Sequence, residues 1–520
     1  MDTFARRVAV DLTGRTKWAE DKGPAGFAGR DHMDLFCDLL FKPKEMFREE
    51  LIPVENKPLK REIGLDPDRK FFAPSELMLN TKLQEIGSEF QLKKQRNNKY
   101  SGTLEERAAS AAQKRMSGLV FFVTGKGIAM SPMDGSETLE SVGIEEASHG
   151  TEPVQEALLM LQEAYNNDGD LSVAVKNLTD VLAAQGTPVG IEKSKIDYEL
   201  FYNSHNPWKK AAIATLLAMV LICGRWLTRS KVLTVLVGLA ILWALAEQGL
   251  GLWLRVSILG RAPVSNTYEA LLWMGIVAIL FGLIGQALSP KSWYLVGGLG
   301  ASVLAIFFAM LVPIEDQTNA LPAVLRSNYW LIIHVLTIVG SYGALLLAAV
   351  LAHIYLVRDV LLRRQSARSE RVIVQVYRVM QVGVIMLTAG TILGGVWAAD
   401  SWGRFWGWDP KETWSLISII TYFTMLHARH VGWIRDFGLA VAAIVGFLAI
   451  VWTFYGVNYV MASGLHSYGF GSGGELWVLL WAIGEAVFIG ICFLRRPGKS
   501  NGHRRSKREL QGKVGDAVSA

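Results

Sequence analysis

The stretch YWLIIHVLTIVGSYGALLLAAVLAHIYLV, residues 329–357, decides the fold class because it contains no Asp, Glu, Lys or Arg. A helix needs roughly 20 apolar residues to cross the hydrocarbon core of a bilayer. This run exceeds that length without interruption, so it predicts a membrane-spanning helix.

Similar apolar runs lie on both sides of it. The chain of 520 residues is 51% hydrophobic and has 17 Trp, a combination that is rare in soluble domains. On the same length criterion we predict about nine spans: 211–227, 232–253, 268–288, 293–313, 329–357, 376–399, 412–429, 436–457 and 475–494. We therefore expect an all-α polytopic membrane protein.

The chain divides into three regions by charge. Residues 1–207 are charged throughout and lack an uninterrupted apolar run near 18 residues, which predicts a soluble region of α+β or mainly helical type. Residues 208–495 form the membrane domain, and residues 496–520 form a basic tail.

Within the soluble region two segments, Pro153–Asn166 and Leu171–Gln185, have a helical pattern, and GLVFFVTG (118–125) resembles a strand. His32, His149 and His205 occur singly, so a surface or packing role is favoured over metal ligation.

Lys and Arg cluster in loops on one side of the predicted spans, which places those loops in the cytoplasm. They are Arg225–Lys231, Arg358–Arg371, His427–Arg435 and the tail. The opposite loops then lie outside: 254–267, 314–328, 400–411 and 458–474. Residues 1–207 also lie outside, so we expect a signal or membrane segment upstream of this chain or on a partner.

Two other classes of function are disfavoured. The net charge of +6 is concentrated beside membrane helices, where it does not indicate nucleic-acid binding. Cys37, Cys223 and Cys492 are far apart, which supports neither a disulfide framework nor a thiolate metal site. Any thiols in the function would belong to a partner.

WGRFWGWDPKETW, residues 402–414, places Trp402, Trp406, Trp408 and Trp414 beside an Asp-Pro-Lys-Glu. Asp409 suits the N-cap of the seventh span, with Pro410 at the first helical position and Glu412 at the third, which is a capping box. Tryptophans at a membrane interface are often only anchors. Their concentration next to a rigid helix start favours a binding platform.

Three of the histidines in the membrane half are candidate ligands, because ionisable groups in spans are costly. His334 and His466 are predicted on the same outer side as the tryptophans, and His427 near the inner end of span seven. His353 and His430 lie beside arginines at the cytoplasmic rim, where snorkelling is the simpler interpretation. An internal hydrogen bond is the alternative for any one histidine.

Two imidazoles and several indoles facing one cavity suit a planar iron macrocycle, whereas zinc requires a denser cluster of ligands. WGRFWGWDPKETW resembles the tryptophan-rich signature, the WWD domain, of haem-handling proteins in cytochrome c biogenesis. Four other segments resemble the CcsA/ResC type of system II: GRAPVSNTYEALLW (260–273), SNYWLIIHV (327–335), TMLHARH (424–430) and LHSYGFG (465–471).

The resemblance extends upstream. MDTFARRVAVDLTGR at the start of the chain and DYELFYNSHNPW (197–208) look like pieces of fused CcsB–CcsA synthetases. The chain departs from that pattern because it lacks the N-terminal membrane helices of the CcsB half.

The resemblance implies a cytochrome c synthetase component of the bacterial inner membrane, with haem b as its ligand and substrate. His334 and His466 would be axial iron ligands at an external site, and His427 would ligate haem at an inner station. The platform around that external site would consist of Trp402, Gly403, Trp406, Gly407, Trp408, Asp409 and Trp414. Arg404 or Lys411 would meet a haem propionate on charge grounds.

The implied partners are an apocytochrome c with a CxxCH motif, a CcsB/ResB-like subunit and thiol-reducing proteins. The implied chemistry is attachment of haem to that motif through thioether bonds. Two alternatives remain open: a haem transporter or chaperone without attachment activity, and a structural or solute-transport membrane protein whose tryptophans are anchors.

Overall fold

The structure is a computed structural model that describes residues 2–13, 31–96, 100, 102–123, 129–132, 139–141, 152–167, 169–184, 193–262, 264–290, 293–311, 329–362, 367–461 and 475–495. The chain forms two compact units, Met1–Asn203 and Ser204–Ala520.

The first unit is mainly helical. Its α-helices are α1 Asp2–Thr13, α2 His32–Phe41, α3 Pro43–Met46, α4 Lys57–Glu62, α5 Pro74–Met78, α6 Thr81–Arg96, α7 Leu104–Val123, α8 Glu152–Asn166, α9 Leu171–Ala184 and α10 Lys193–His205, the last of which continues into the second unit. Two antiparallel pairs of short strands accompany them: β1 Ile52–Pro53 with β2 Phe71–Phe72, and β3 Ala129–Pro132 with β4 Leu139–Ser141.

The prediction of a strand at 118–125 is wrong for 118–123, the described part of that range, because α7 continues to Val123. The buried residues Ala109, Ala112, Met116 and Leu119 recur at helical spacing and pack into the core of the first unit, and this packing outweighs the β propensity of the local sequence. The helix pair α8 and α9 occupies the positions predicted for it.

A capping box begins α7. Thr103 Oγ1 accepts a hydrogen bond from the Glu106 backbone N–H, and the Glu106 carboxylate accepts one from the Thr103 N–H at 2.8 Å. The Thr103 N–H, helped by Lys93 and Tyr100, lowers the pKa of Glu106.

The second unit contains nine further α-helices within the described residues: α11 Pro207–Thr228, α12 Lys231–Leu259, α13 Thr267–Leu288, α14 Tyr294–Leu311, α15 Tyr329–Tyr355, α16 Ala367–Trp402, α17 Pro410–His430, α18 Asp436–Val451 and α19 Glu475–Arg495. Two of them continue as π-helices, Leu356–Leu361 after α15 and Trp452–Met461 after α18. Each of the nine overlaps one predicted span.

Seven helical ranges in the described part of the chain are long and apolar enough to cross a membrane: Ser194–Thr228, Lys231–Leu259, Thr267–Leu288, Tyr329–Leu361, Val372–Trp402, Asp436–Asn458 and Val478–Arg495. Tyr294–Met310 is a shorter apolar helix, and α17 is outside this set because it contains more polar residues. The protein is therefore a nearly all-α, multi-pass membrane protein.

Helices α15 and α16 pack closely through glycines. A Cβ on Gly390 would lie 2.8 Å from the Ile338 Cα, and one on Gly394 would lie 2.7 Å from the His334 Cε1. Small residues four positions apart let membrane helices approach each other in this way. The contact fixes the start of α15, which carries His334, against the end of α16, which leads into the tryptophan stretch.

A buried ion pair fastens α12 to α13. The Arg255 Nη2 lies 2.8 Å from the Glu269 Oε1, and the two side chains are 3% and 1% exposed. Glu269 also accepts a hydrogen bond from the Ser265 N–H, while Asn266 caps the start of α13. The start of α13 is thus bonded both to α12 and to the residues just before it.

Two histidines differ from expectation. His353 does not only snorkel, because its Nε2 lies 2.9 Å from the Glu485 carboxylate in α19 and its ring stacks on Phe488. His205 is not isolated, because its Nε2 lies 2.8 Å from the Glu247 carboxylate in α12. Both partners are distant in sequence, which concealed them.

Candidate functional site

The tryptophan stretch forms a tight connection between α16 and α17. Helix α16 ends at Trp402, and Gly403 follows in the left-handed region with φ 71° while its N–H donates to the Ala399 carbonyl. Glycine adopts this conformation without a steric penalty. Trp408 is also left-handed, with φ 58°. Since this conformation is costly for a bulky residue, the surrounding contacts must hold Trp408 in place.

The predicted capping box is present at the start of α17. Asp409 Oδ1 accepts the Lys411 N–H at 3.0 Å, and Glu412 Oε2 accepts the Asp409 N–H at 3.2 Å. The same Glu412 oxygen accepts the Gly407 N–H at 2.7 Å. Glu412 therefore bonds both to the helix start and to the loop that precedes it.

Arg404 folds back over this loop. Its Nη1 lies 3.3 Å from the Glu412 Oε1, and its guanidinium carbon lies 5.7 Å from the centre of a Trp402 ring. A Cβ on Gly407 would overlap the guanidinium, so Gly407 is needed for this arrangement. The charge of Arg404 is thus engaged inside the loop, which weakens its case as a propionate contact.

His334 is held in one orientation by α16. Its Nδ1–H donates to the Gly390 carbonyl at 2.7 Å, and its ring is parallel to that of the buried Trp397, with ring centres 6.4 Å apart and planes 3° apart. Trp402 contacts Trp397 edge-on at 4.7 Å. Since Nδ1 carries the proton, Nε2 is the unprotonated nitrogen of the neutral ring, the form that binds metals.

The other three predicted tryptophans are arranged in two pairs. Trp406 and Trp408 are perpendicular, with ring centres 5.9 Å apart, and Trp408 is 69% exposed. Trp414, in the first turns of α17, contacts Trp452 of the second π-helix at 5.7 Å. The structure thus brings His334 together with Trp402 through Trp397, and it joins Trp414 to the π-helix.

The side chain of Lys411 links α17 to the same π-helix. Its Nζ donates to Asn458 Oδ1 at 2.9 Å, and Asn458 is buried. Two turns further along α17, Ser418 and Thr453 hydroxyls lie 2.9 Å apart.

The two remaining predicted ligands are placed differently. His427 is exposed on α17, on the same side as Ile420 and Thr424. At a rise of 1.5 Å per residue it lies about 26 Å along the helix from Pro410, well separated from the tryptophan loop. His466 lies outside the described residues, as do 462–474 as a whole and the tail 496–520.

Substitutions of Asp409 and of Glu412 are expected to lower the free energy of unfolding by different amounts. Asp409→Ala removes one cap and is expected to lower the free energy of unfolding by about 1 kcal/mol, whereas Asp409→Asn keeps the acceptor oxygen and is expected to cost little. Glu412→Ala removes the acceptor for two N–H groups and for Arg404, so it should cost more than Asp409→Ala. Thermal unfolding in detergent would rank the stabilities of the three variants. An equal loss of stability for Asp409→Asn and Asp409→Ala would contradict the capping role of the Asp409 oxygen.

Sequence reasoning gave too little weight to three contributors to the site. Trp397 lies outside the 402–414 stretch, yet it is the ring parallel to His334. Gly390 and Gly394 form a GxxxG pattern that predicts a close helix contact. Asn458 had no local signal, because its role depends on a lysine 47 residues earlier.

These features define a polytopic helical membrane protein whose tryptophan loop is fastened to its helix bundle beside an oriented histidine. Residues 264–466 match the family model described as cytochrome C assembly protein. The chain is 32% identical to cytochrome c biogenesis protein CcsA of Chlorella vulgaris, an alignment that covers 41% of this chain and 78% of that protein. It is 34% identical to CcsA of Synechococcus sp. (strain CC9902), with 46% and 88% covered.

The chain is also 29% identical over 507 residues to Protein NrfI of Wolinella succinogenes. That alignment covers 91% of this chain and so includes most of the first unit, but the chain spans about half the length of NrfI (53%). The chain therefore belongs to the cytochrome c assembly family, as a system II protein of the CcsA type.

Proposed function

We propose that the protein binds haem beside its tryptophan loop and promotes thioether attachment of that haem to the CxxCH motif of an apocytochrome c. His334 and His466 are the axial ligands in this proposal, and haem b is the substrate. The bilayer is the bacterial inner membrane, with the loop and residues 1–207 on its outer side. The family name of the relatives supports the general role.

The orientation of His334 is the observation that carries the proposal. The bond from its Nδ1 to the Gly390 carbonyl fixes the tautomer, and the parallel ring of Trp397 restricts rotation. Metal-ligating histidines are commonly oriented by such a hydrogen bond from the other ring nitrogen.

The tryptophan loop supplies apolar ring faces for a macrocycle. Trp408, exposed on its left-handed backbone, and Trp406 at right angles to it offer faces to a flat ligand. Trp402, in the same loop, contacts Trp397, the ring parallel to His334. Gly403 sets the direction of the loop, and Asp409 holds the loop to α17.

The reaction requires positioning more than acid–base catalysis. Each cysteine S–H adds across a vinyl C=C: the sulfur forms a bond to one carbon, and the other carbon gains a hydrogen. No net oxidation of the organic groups is involved. Holding the vinyl edge beside the partner's thiols is an orientation effect that lowers the activation barrier by several kcal/mol. The histidine of the CxxCH motif then replaces one protein ligand, which releases the product.

His427 is proposed as an earlier station within the membrane. It is an exposed imidazole on α17, where an ionisable group is costly without a function. A second ligand at that station would come from a CcsB/ResB-like subunit, and thiol-reducing proteins would keep the cysteines of the apocytochrome reduced.

Expression of the full chain with an apocytochrome c, in a host that lacks all cytochrome c assembly genes, tests the proposal. We expect purified protein with a Soret band, and covalent haem on the cytochrome when a CcsB-like chain is supplied. Bound haem without attachment, both with and without a CcsB-like chain, would instead favour a carrier that delivers haem. Absence of any Soret band would leave the tryptophans as membrane anchors and refute the proposal.

A further inference from the structure

Lys411 occupies an electrostatically unfavourable position. It is the second residue of α17, next to the N-terminal end where the helix dipole is positive and where acidic side chains are normally preferred. Asp409 and Glu412, on either side of it, follow that preference and are engaged by backbone N–H groups. Lys411 takes no part in the capping box through its side chain, so the box does not explain why a cation is present.

The hydrogen bonds of Lys411 leave donors available. An ammonium group has three N–H donors. Within the described residues, Lys411 Nζ donates to the neutral amide oxygen of Asn458, and no carboxylate oxygen lies within 4 Å of it. Asp409 attracts the ammonium only through space, so the one direct partner of this desolvated cation is neutral. Such a cation is costly, whereas one that receives an anion forms a strong charge-assisted bond.

Arg404 provides the contrast within the same loop. It has the Glu412 carboxylate at 3.3 Å, the Trp402 ring beneath it and Gly407 against its guanidinium. Its charge is already compensated inside the protein. Of the two cations beside the tryptophans, Arg404 is in direct contact with a carboxylate, whereas Lys411 interacts with the Asp409 carboxylate only through space in the structure as described.

The position of Lys411 suits a ligand held by the tryptophans. It lies one turn from Trp414 on α17, and the Asn458 bond holds its Nζ beside the π-helix that carries Trp452. A flat apolar ligand over these rings with an acidic substituent would place that substituent near the ammonium.

We infer that Lys411, and not Arg404, binds a carboxylate of the ligand held by the tryptophan loop. This rests on the proposed function, in which the ligand is haem and the carboxylate is a propionate. The Lys411 ammonium then bridges the propionate and Asn458, so that one side chain both holds the π-helix and fixes the rotation of the macrocycle in its plane.

The test compares haem with haem dimethyl ester, which has the same ring and iron but no ionised carboxylate. Dissociation constants are measured on the purified full chain by Soret titration and by quenching of tryptophan fluorescence. We expect the wild-type protein to prefer haem over the diester at least about tenfold, the size of one charge-assisted hydrogen bond.

Substitutions at Lys411 then assign the preference. Lys411→Met and Lys411→Gln should both reduce the preference to about one by weakening haem binding, with little change for the diester. Gln keeps an N–H donor for Asn458, so it serves if Met disturbs folding. Lys411→Arg should retain the preference. Arg404→Met is the matched control, and it should keep the preference.

Three results would overturn the inference: equal binding of the two compounds by the wild-type protein, an unchanged preference in Lys411→Gln, or loss of the preference in Arg404→Met to the same extent as in Lys411→Gln. Failure of the proposed function would look different, because the wild-type protein would then bind neither compound.

Discussion

Replacing His334 with alanine is expected to weaken haem binding at the outer site by about a hundredfold or more and to reduce haem attachment in proportion. Outer-shell partners of a metal ligand alone affect metal affinity by about 10–100-fold, so loss of the ligand itself should cost at least the upper end of that range. The Soret band of the purified variant and the yield of covalent holocytochrome measure the two effects. The same loss is expected for His466→Ala, the second proposed ligand.

Chemical rescue and a matched histidine make this test specific. Imidazole added during expression should restore part of the activity of His334→Ala, because it supplies the missing nitrogen. His430→Ala removes an exposed histidine at the end of α17 and should leave haem binding unchanged. If His334→Ala and His466→Ala both produced holocytochrome at the wild-type rate, the assignment of the ligands would be wrong.

The sequence predicted the helices of the second unit because each needs only a local property, an apolar run of sufficient length. It also predicted the capping box, since Asp409, Pro410 and Glu412 are set by spacing within four residues. It failed where the deciding contact is distant. His353 was interpreted from neighbouring arginines, whereas its partner Glu485 is 132 residues away.

The candidate site divides in the same way. The residue types and their order indicated a tryptophan platform with histidines, but the arrangement of the rings depends on how α15 meets α16. The tautomer of His334 is set by the Gly390 carbonyl, 56 residues away. Lys411 differs from Arg404 because the Glu412 carboxylate pairs with Arg404. Composition and spacing do not encode such competition among neighbours.

Gly394→Val is expected to reduce haem binding almost as strongly as His334→Ala while the protein remains folded. A Cβ at this position would lie 2.7 Å from Cε1 and 2.9 Å from Nδ1 of His334, so the ring must turn away from the Gly390 carbonyl and from Trp397. Overpacking of this kind costs about 1–3 kcal/mol of stability. The measurements are Soret titration and thermal unfolding of the same preparation.

Glycines in α19 provide the control for this substitution. A Cβ on Gly484 or Gly490 would meet no atom within 4 Å, so Gly484→Val and Gly490→Val add the same side chain to a helix without a clash. They should bind haem as the wild-type protein does. Normal haem affinity in a folded Gly394→Val variant would mean that the orientation of His334 does not matter, and the proposal that this histidine ligates iron would lose its main support. A loss of haem affinity that exceeds the loss of stability would tie the α15–α16 contact directly to the site.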